Sequence, residues 1–339
     1  MPGRNLRRIG IVGAKISVPI VLILALVHVV EVDRVINNFL LITRFTWFMA
    51  AGCLAVTLIL NGARWFVLLR ALRFPQRLMP AIQIRLIGQA FNMVLPGGVV
   101  GDAIQILFVS RRVKMSGTRA FATIAADRIV GLLAIVCGIL LTTPVLLSNW
   151  KGDSRIWLAM VVGALAIVLV CLMVLKWRPG PDQPSNAVGK LVGVFASVLR
   201  SILTYRRRPF AVFSAFVIAI PGFLLTSAAV WIIARDLGEI GYLYTIPIVG
   251  LATIITLVPL TVSGLGIREW FLAAALLPLG FQLEAIVAIS LVWFTLAIGT
   301  AATLALAAMI LSPFDNARGF LTGSLPDFRS VRSSRNNIA

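Results

Sequence analysis

Little in this sequence can carry acid–base or metal chemistry: 339 residues hold one histidine, three cysteines and twelve Asp or Glu. The single His28 sits near the outer end of the first long apolar run, where an interfacial place explains it better than catalysis. Cys53, Cys137 and Cys171 fall inside apolar runs without paired or metal-ligand spacing, so they read as small buried hydrophobes. Also missing are a phosphate-binding loop of the P-loop kind, an HExxH pair and any Ser/His/Asp set that one histidine could serve. Glu31-Val32-Asp33 superficially resembles an acidic metal–nucleotide motif of glycosyltransferases, but it is short and lies on the expected outer side. No catalytic residue, cofactor or metal is therefore expected.

Charge is scarce too. Only 13% of residues are charged against 60% hydrophobic, and the mean hydropathy of +0.99 lies far outside the soluble range. The expected class is an all-α polytopic membrane protein. A net charge of +19 could suggest nucleic acid, but the basic residues sit in short segments between apolar runs, where they act as topology signals. Nucleic acid is not an expected partner; membrane lipids are.

The runs are long enough to cross a bilayer at about 20 residues per span. Arg4, Arg7 and Arg8 precede Ile9 to Val30, read as an uncleaved first span with a cytoplasmic N-terminus. Glu31 to Arg44 would face out, and Phe45 to Leu69 returns to a basic cluster of Arg64, Arg70, Arg73 and Arg77. A leg from Leu78 to Leu95 is then interrupted by Pro96-Gly97-Gly98-Val99-Val100-Gly101-Asp102, and the short apolar leg Ala103 to Val109 stops at Arg111, Arg112 and Lys114. That second leg is too short to span, so residues 78–112 read as a re-entrant hairpin. Thr118 to Leu147 opens with Asp127-Arg128 near the interface and spans from Ile129, and Trp157 to Leu175 crosses back. The Pro- and Arg-rich stretch 176–209 reads as a cytoplasmic loop between halves, with a surface helix over Leu191 to Leu203 as one option. Phe210 to Ala234 crosses out, Tyr242 to Phe281 forms a second hairpin broken at Ser263 to Gly266, and Ala285 to Leu311 is the last span. The basic tail 312–339 reads as disordered.

This predicts six full spans, two broken hairpins and cytoplasmic termini, arranged as an inverted-topology repeat. The first half covers residues 1–175, and the inverted half starts at the span 157–175 and continues through 210–311. An eight-span reading, with Tyr242 to Leu260 crossing fully, leaves both termini on the same side and stays open.

The breaks are where chemistry is expected. Unwound backbone in lipid leaves amides unpaired unless it lines a cavity, and Pro259 to Gly264 repeats the five-residue spacing of Pro96 to Gly101. Two such segments in inverted halves suggest a transporter's midplane site. The helix starts after the glycines favour an anionic group. Arg268 adds positive charge, and Asp102 and Glu269 add negative charge suited to a cation, proton or amine. Structural alternatives stand beside these roles: Asp102 as a helix cap, Arg268-Glu269 as a buried pair, and Arg85, Asp127 and Arg128 as snorkelling side chains. Gln105 could share the face of Asp102, and Asn92 could bond unwound carbonyls. The candidate substrate-binding set is Asn92, Pro96, Gly97, Gly101, Asp102, Gln105, Asp127 and Arg128 from the first break. From the second come Pro259, Ser263, Gly264, Gly266, Arg268 and Glu269.

At these residues the sequence resembles the lysylphosphatidylglycerol synthase transmembrane family, also called the flippase-like domain or uncharacterised protein family 0104. The resemblance rests on Asn92, Leu95-Pro96-Gly97 and Gly101-Asp102, on Asp127-Arg128, and on Pro259 with Ser263 to Glu269; it covers roughly Ile9 to Leu311. The pattern is departed from at Val100, where glycine is common, and at Gln105, where arginine is common. The resemblance implies a bacterial inner-membrane protein handling lipids, in some members by moving aminoacylated phosphatidylglycerol between leaflets. Lysyl transfer belongs to a separate soluble domain in fused members, so this stretch alone is not expected to make lysyl-lipid. Three functions follow as expectations: a lipid translocase acting on an anionic or amphoteric headgroup, a non-catalytic partner of a lipid- or glycan-modifying enzyme, or a membrane-embedded glycosyl or lipid transferase. Oligomeric state is not legible.

Overall fold

A backbone that crosses hydrocarbon must pair its own amides, and helices do so within one segment. The computed structural model describes residues 30–74, 77–94, 100–113, 117–148, 154–155, 157–159, 161–163, 166, 204–256 and 266–311. Among these, the secondary structure is helical throughout, and the chain is an all-α polytopic membrane protein. In chain order the α-helices are α1 (Val32–Leu41), α2 (Arg44–Ala71), α3 (Leu78–Val94), α4 (Val100–Val113), α5 (Gly117–Leu147), α6 (Pro209–Ala234), α7 (Tyr242–Thr256), α8 (Ile267–Leu276) and α9 (Leu283–Ile310). Short 3-10 turns precede α6 and follow α8.

Four described helices, α2, α5, α6 and α9, are long and apolar enough to cross a membrane. The expected span 9–30 lies almost wholly outside the described residues, as do the greater part of the expected span 157–175, most of the loop 176–209 and the tail 312–339. The expected outward segment after Val30 is not merely a connection. Val32–Leu41 forms a helix with no buried residue and packs on α9.

Helix α2 starts at Thr43, whose hydroxyl accepts the Thr46 amide at 3.2 Å, and α6 starts on Pro209, whose missing N–H costs nothing in a first turn. These two helices make the most extensive pair in the bundle, with the Thr57 hydroxyl donating to the Gly222 carbonyl at 3.1 Å. Such a bond is worth about 1 kcal/mol between helices in lipid.

The hairpins are arranged about this pair. The Arg64–Asp127 bond and the Tyr205 hydroxyl on the Leu68 carbonyl bring the end of α2 together with the starts of α5 and α6. This is the basic end, with Arg70, Arg73, Arg119, Arg207 and Arg208. Helix α3 leaves from it, and α4, packed on α3, returns to it before α5 begins. At the opposite end the Asp236 carboxylate accepts the Thr43 amide at 3.0 Å, and α7 departs beside the point where α8 comes back. The two hairpins thus enter from opposite ends. Their packing is reciprocal: α3 lies on α9 as α7 lies on α5, α4 on α5 as α8 on α9, and α5 on α6 as α9 on α2. Helix α4 is longer than its apolar stretch, but its 14 residues rise only about 21 Å, short of a core of about 30 Å. The described part of α7, 15 residues ending at Thr256, rises about 22 Å, and residues 257–265 lie outside the described ones.

Candidate functional site

Charged side chains inside such a bundle are expensive and persist where they are paired or functional. Two networks hold most of the buried charge among the described residues. The first joins four helices. Asp127, fully buried on α5, accepts Nε of Arg64 from α2 at 2.6 Å and Nη2 of the same residue at 2.9 Å, a two-point pairing. Its second oxygen also takes Nη2 of Arg85 from α3 at 2.8 Å, and Nη1 of Arg85 donates to Oε1 of Gln105 on α4 at 3.0 Å. Next to it, Arg128 donates to both oxygens of Asp102 at 3.0 and 3.2 Å, and Asn92 Nδ2 donates to the same carboxylate at 2.9 Å. Asn92 Oδ1 accepts the Gly101 amide at 2.8 Å. Three arginines face two carboxylates, leaving one positive charge in excess. The Arg128 side chain carries the exposed part, at 36%.

Close backbone approach makes this geometry fit. A Cβ on Gly101 would lie 1.8 Å from the Gly88 carbonyl oxygen, and one on Gly88 would lie 2.2 Å from Nε2 of Gln105. Glycine at both positions lets α3 and α4 touch near the tip. Gln105 is consequently sealed, and among the described residues its Nε2 and Nε of Arg85 find no hydrogen-bond partner.

The second network is compact. Arg268 and Glu269 open α8, and Ser290 meets them from α9. Arg268 Nε donates to the Ser290 oxygen at 2.8 Å, its Nη2 donates to Glu269 Oε1 at 3.1 Å, and the Ser290 hydroxyl donates to that same carboxylate oxygen. The guanidinium lies 5.3 Å from the Trp293 ring centre and 5.2 Å from that of Phe294, the range of a cation–π contact. Glu269 Oε2 accepts the Gly266 amide at 2.6 Å, where Gly266 takes φ +88°. An internal carboxylate therefore sits on the helix start that the sequence assigned to an external anion.

Several expectations change. Arg85 and Asp127 are buried at 4% and 0% exposure, so they do not snorkel, and only Arg128 reaches outward. Asn92 bonds the Gly101 amide and the Asp102 carboxylate. Arg64, read as a topology marker, is a buried ligand of Asp127. Its signal was in the sequence, because it falls inside the apolar run before Leu69 rather than after it. Ser290 carries no comparable signal, since a lone serine in a span is ordinary. Pro96, Gly97, Pro259, Ser263 and Gly264 lie outside the described residues.

The structure gathers Asn92, Gly101, Asp102, Gln105, Asp127 and Arg128 into one network and Gly266, Arg268 and Glu269 into another. No hydrogen bond or ion pair joins the two among the described residues. They also differ in depth. Arg64 sits about 10 Å from the basic end of α2, and Ser290 about 10 Å from the opposite end of α9, at 1.5 Å per residue. The first network, with excess charge and partial exposure, can attract an anion; the second is internally satisfied and holds α8 against α9.

No curated protein matches the chain. The family described as lysylphosphatidylglycerol synthase TM region matches residues 9–318, and the chain belongs to that family.

Proposed function

We propose that this chain is a lipid translocase of the flippase kind, a transporter rather than an enzyme, acting on an anionic or amphoteric phospho- or glycolipid headgroup. Its place is the bacterial inner membrane with both termini in the cytoplasm, and its two hairpins belong to inverted repeats. The observation that carries the reading is the pair of hairpins entering from opposite ends, each with a charged pair beside its tip. A headgroup crossing hydrocarbon needs polar groups part-way through the bundle, reachable in turn from either side. The reciprocal packing supplies two bodies that can rock about the α2–α6 pair. Arg128 and Asp102 are the groups best placed to meet a headgroup, because both are part-exposed at the first tip.

The purified full chain in liposomes should equilibrate a fluorescently labelled anionic lipid between leaflets, and Arg128→Gln should slow it about tenfold or more, a loss of about 1.4 kcal/mol or more from the limiting step. A folded, monodisperse sample that moves no anionic or amphoteric lipid would sink the reading. A second reading, a non-transporting partner of a lipid- or glycan-modifying enzyme, is favoured by the Arg268–Glu269–Ser290 triad, whose charges pair with each other. It predicts stable co-purification with that enzyme and tolerance of Arg128→Gln.

A further inference from the structure

At the end of the bundle opposite the basic one, a cavity of about 760 Å³ opens between the end of α6, the start of α7 and the turn after α8. A smaller one of about 390 Å³ adjoins it, sharing Gly238, Glu239, Leu279 and Gly280 and reaching Asn38 on α1. Their size is that of small-molecule sites, about 300–1,000 Å³. Together they form the mouth of the second hairpin.

The walls are built rather than incidental. Gly280 takes φ +93°, a conformation that side chains rarely adopt, and a Cβ on Gly238 would lie 2.7 Å from the Phe281 ring. The Trp231 indole is fixed by its N–H on the Ile240 carbonyl at 2.9 Å, and Arg235 lies over that ring at 5.2 Å from its centre. Arg235 and Glu239 both line the larger cavity, yet neither forms an ion pair among the described residues. Neighbouring Asp236, by contrast, is engaged by the Thr43 amide.

We propose that this cavity is a docking vestibule for an amphoteric phospholipid headgroup, with its phosphate on Arg235 and its primary ammonium on Glu239. The inference rests on the translocase reading and names the headgroup class it favours. A purely anionic headgroup would meet the repulsion of Glu239. A quaternary ammonium would find the adjacent indole face already covered by Arg235. A primary amine linked to a phosphate complements both charges.

The test uses the full chain in nanodiscs of equal phosphatidylethanolamine and phosphatidylglycerol, with retained lipid counted by native mass spectrometry. Phosphatidylethanolamine should be retained about threefold over phosphatidylglycerol, the size expected of one exposed charge contact. Glu239→Gln should bring the ratio to parity, and Arg235→Gln should lower retention of both lipids. Water-soluble glycerophosphoethanolamine in excess should displace the preferred lipid, which locates recognition in the headgroup. Parity in the native chain, an unchanged ratio in Glu239→Gln, or failure of the soluble headgroup to compete would each overturn the proposal. Translocation by the native chain with unchanged selectivity in Glu239→Gln removes the vestibule and leaves the translocase. Selective binding without translocation does the reverse.

Discussion

Around Asp127 the charges bridge four helices, whereas around Glu269 they close between two. In the first network each arginine comes from a different element or faces a different carboxylate, and the sum is one positive charge in excess. In the second, one arginine and one glutamate in the first turn of α8 close on one serine two turns into α9. The difference is one of consequence. Burying two opposite charges side by side holds a local shape, but tying α2, α3, α4 and α5 to one carboxylate makes the whole basic end depend on it.

The largest expected effect breaks that dependence. Asp127→Asn leaves Arg64 and Arg85 buried without their counter-charge, which should cost about 3–5 kcal/mol. Thermal unfolding in detergent should show it as a large drop in midpoint or as loss of monodisperse protein. Glu269→Gln is the matched test. The glutamine amide has one acceptor oxygen, enough for the Ser290 hydroxyl but not also for the Gly266 amide, while Arg268 keeps its two aromatic faces, so the cost should be smaller, about 1–3 kcal/mol. Equal losses in the two variants would mean that the four-helix network holds no more than the local one.

Next in size is a change that sharpens the comparison by removing the excess charge. Gln105→Glu places a carboxylate beside Arg85, whose Nη1 already donates to that side chain. The network becomes neutral, like its counterpart. Thermal stability should rise by about 1 kcal/mol, the scale of converting a neutral bond to a charge-assisted one, while lipid translocation should fall because the attraction for an anion is lost. Unchanged translocation would assign the excess charge to structure alone.

Much of this was legible in the chain, and the limits have physical causes. The first leg expected over Leu78 to Leu95 is α3 at Leu78–Val94, whose apolar periodic run makes it a strong local signal. Helix α4 extends past its apolar core because Arg111 and Arg112 are good helix formers even where they are poor membrane residues. The burial of Arg85 and Asp127 was not legible. Their distance along the chain from a basic segment suggests the interface, and only tertiary pairing across α2, α3 and α5 draws them inward. A linear pattern reports which residues are charged; it does not report that three of them share one carboxylate's neighbourhood. Helix α1 was hidden for another reason, because charged residues between two apolar runs read as a connection even when they alternate with Ile36, Leu40 and Leu41 along one exposed face.

The smallest effect concerns how each hairpin's returning helix is started. Glu269 caps α8 with a full negative charge, while Asn92 caps α4 with a neutral amide reaching across from α3. The neutral choice follows from its surroundings: Asn92 Nδ2 also donates to Asp102, and a carboxylate there would face another carboxylate. Asn92→Ala should therefore cost about 1 kcal/mol, the value of a lost cap, and Asn92→Asp should cost at least as much despite restoring an acceptor. If Asn92→Asp instead proves as stable as the native chain, Arg128 neutralises both carboxylates at once. The first tip would then have spare positive charge of the kind its partner lacks.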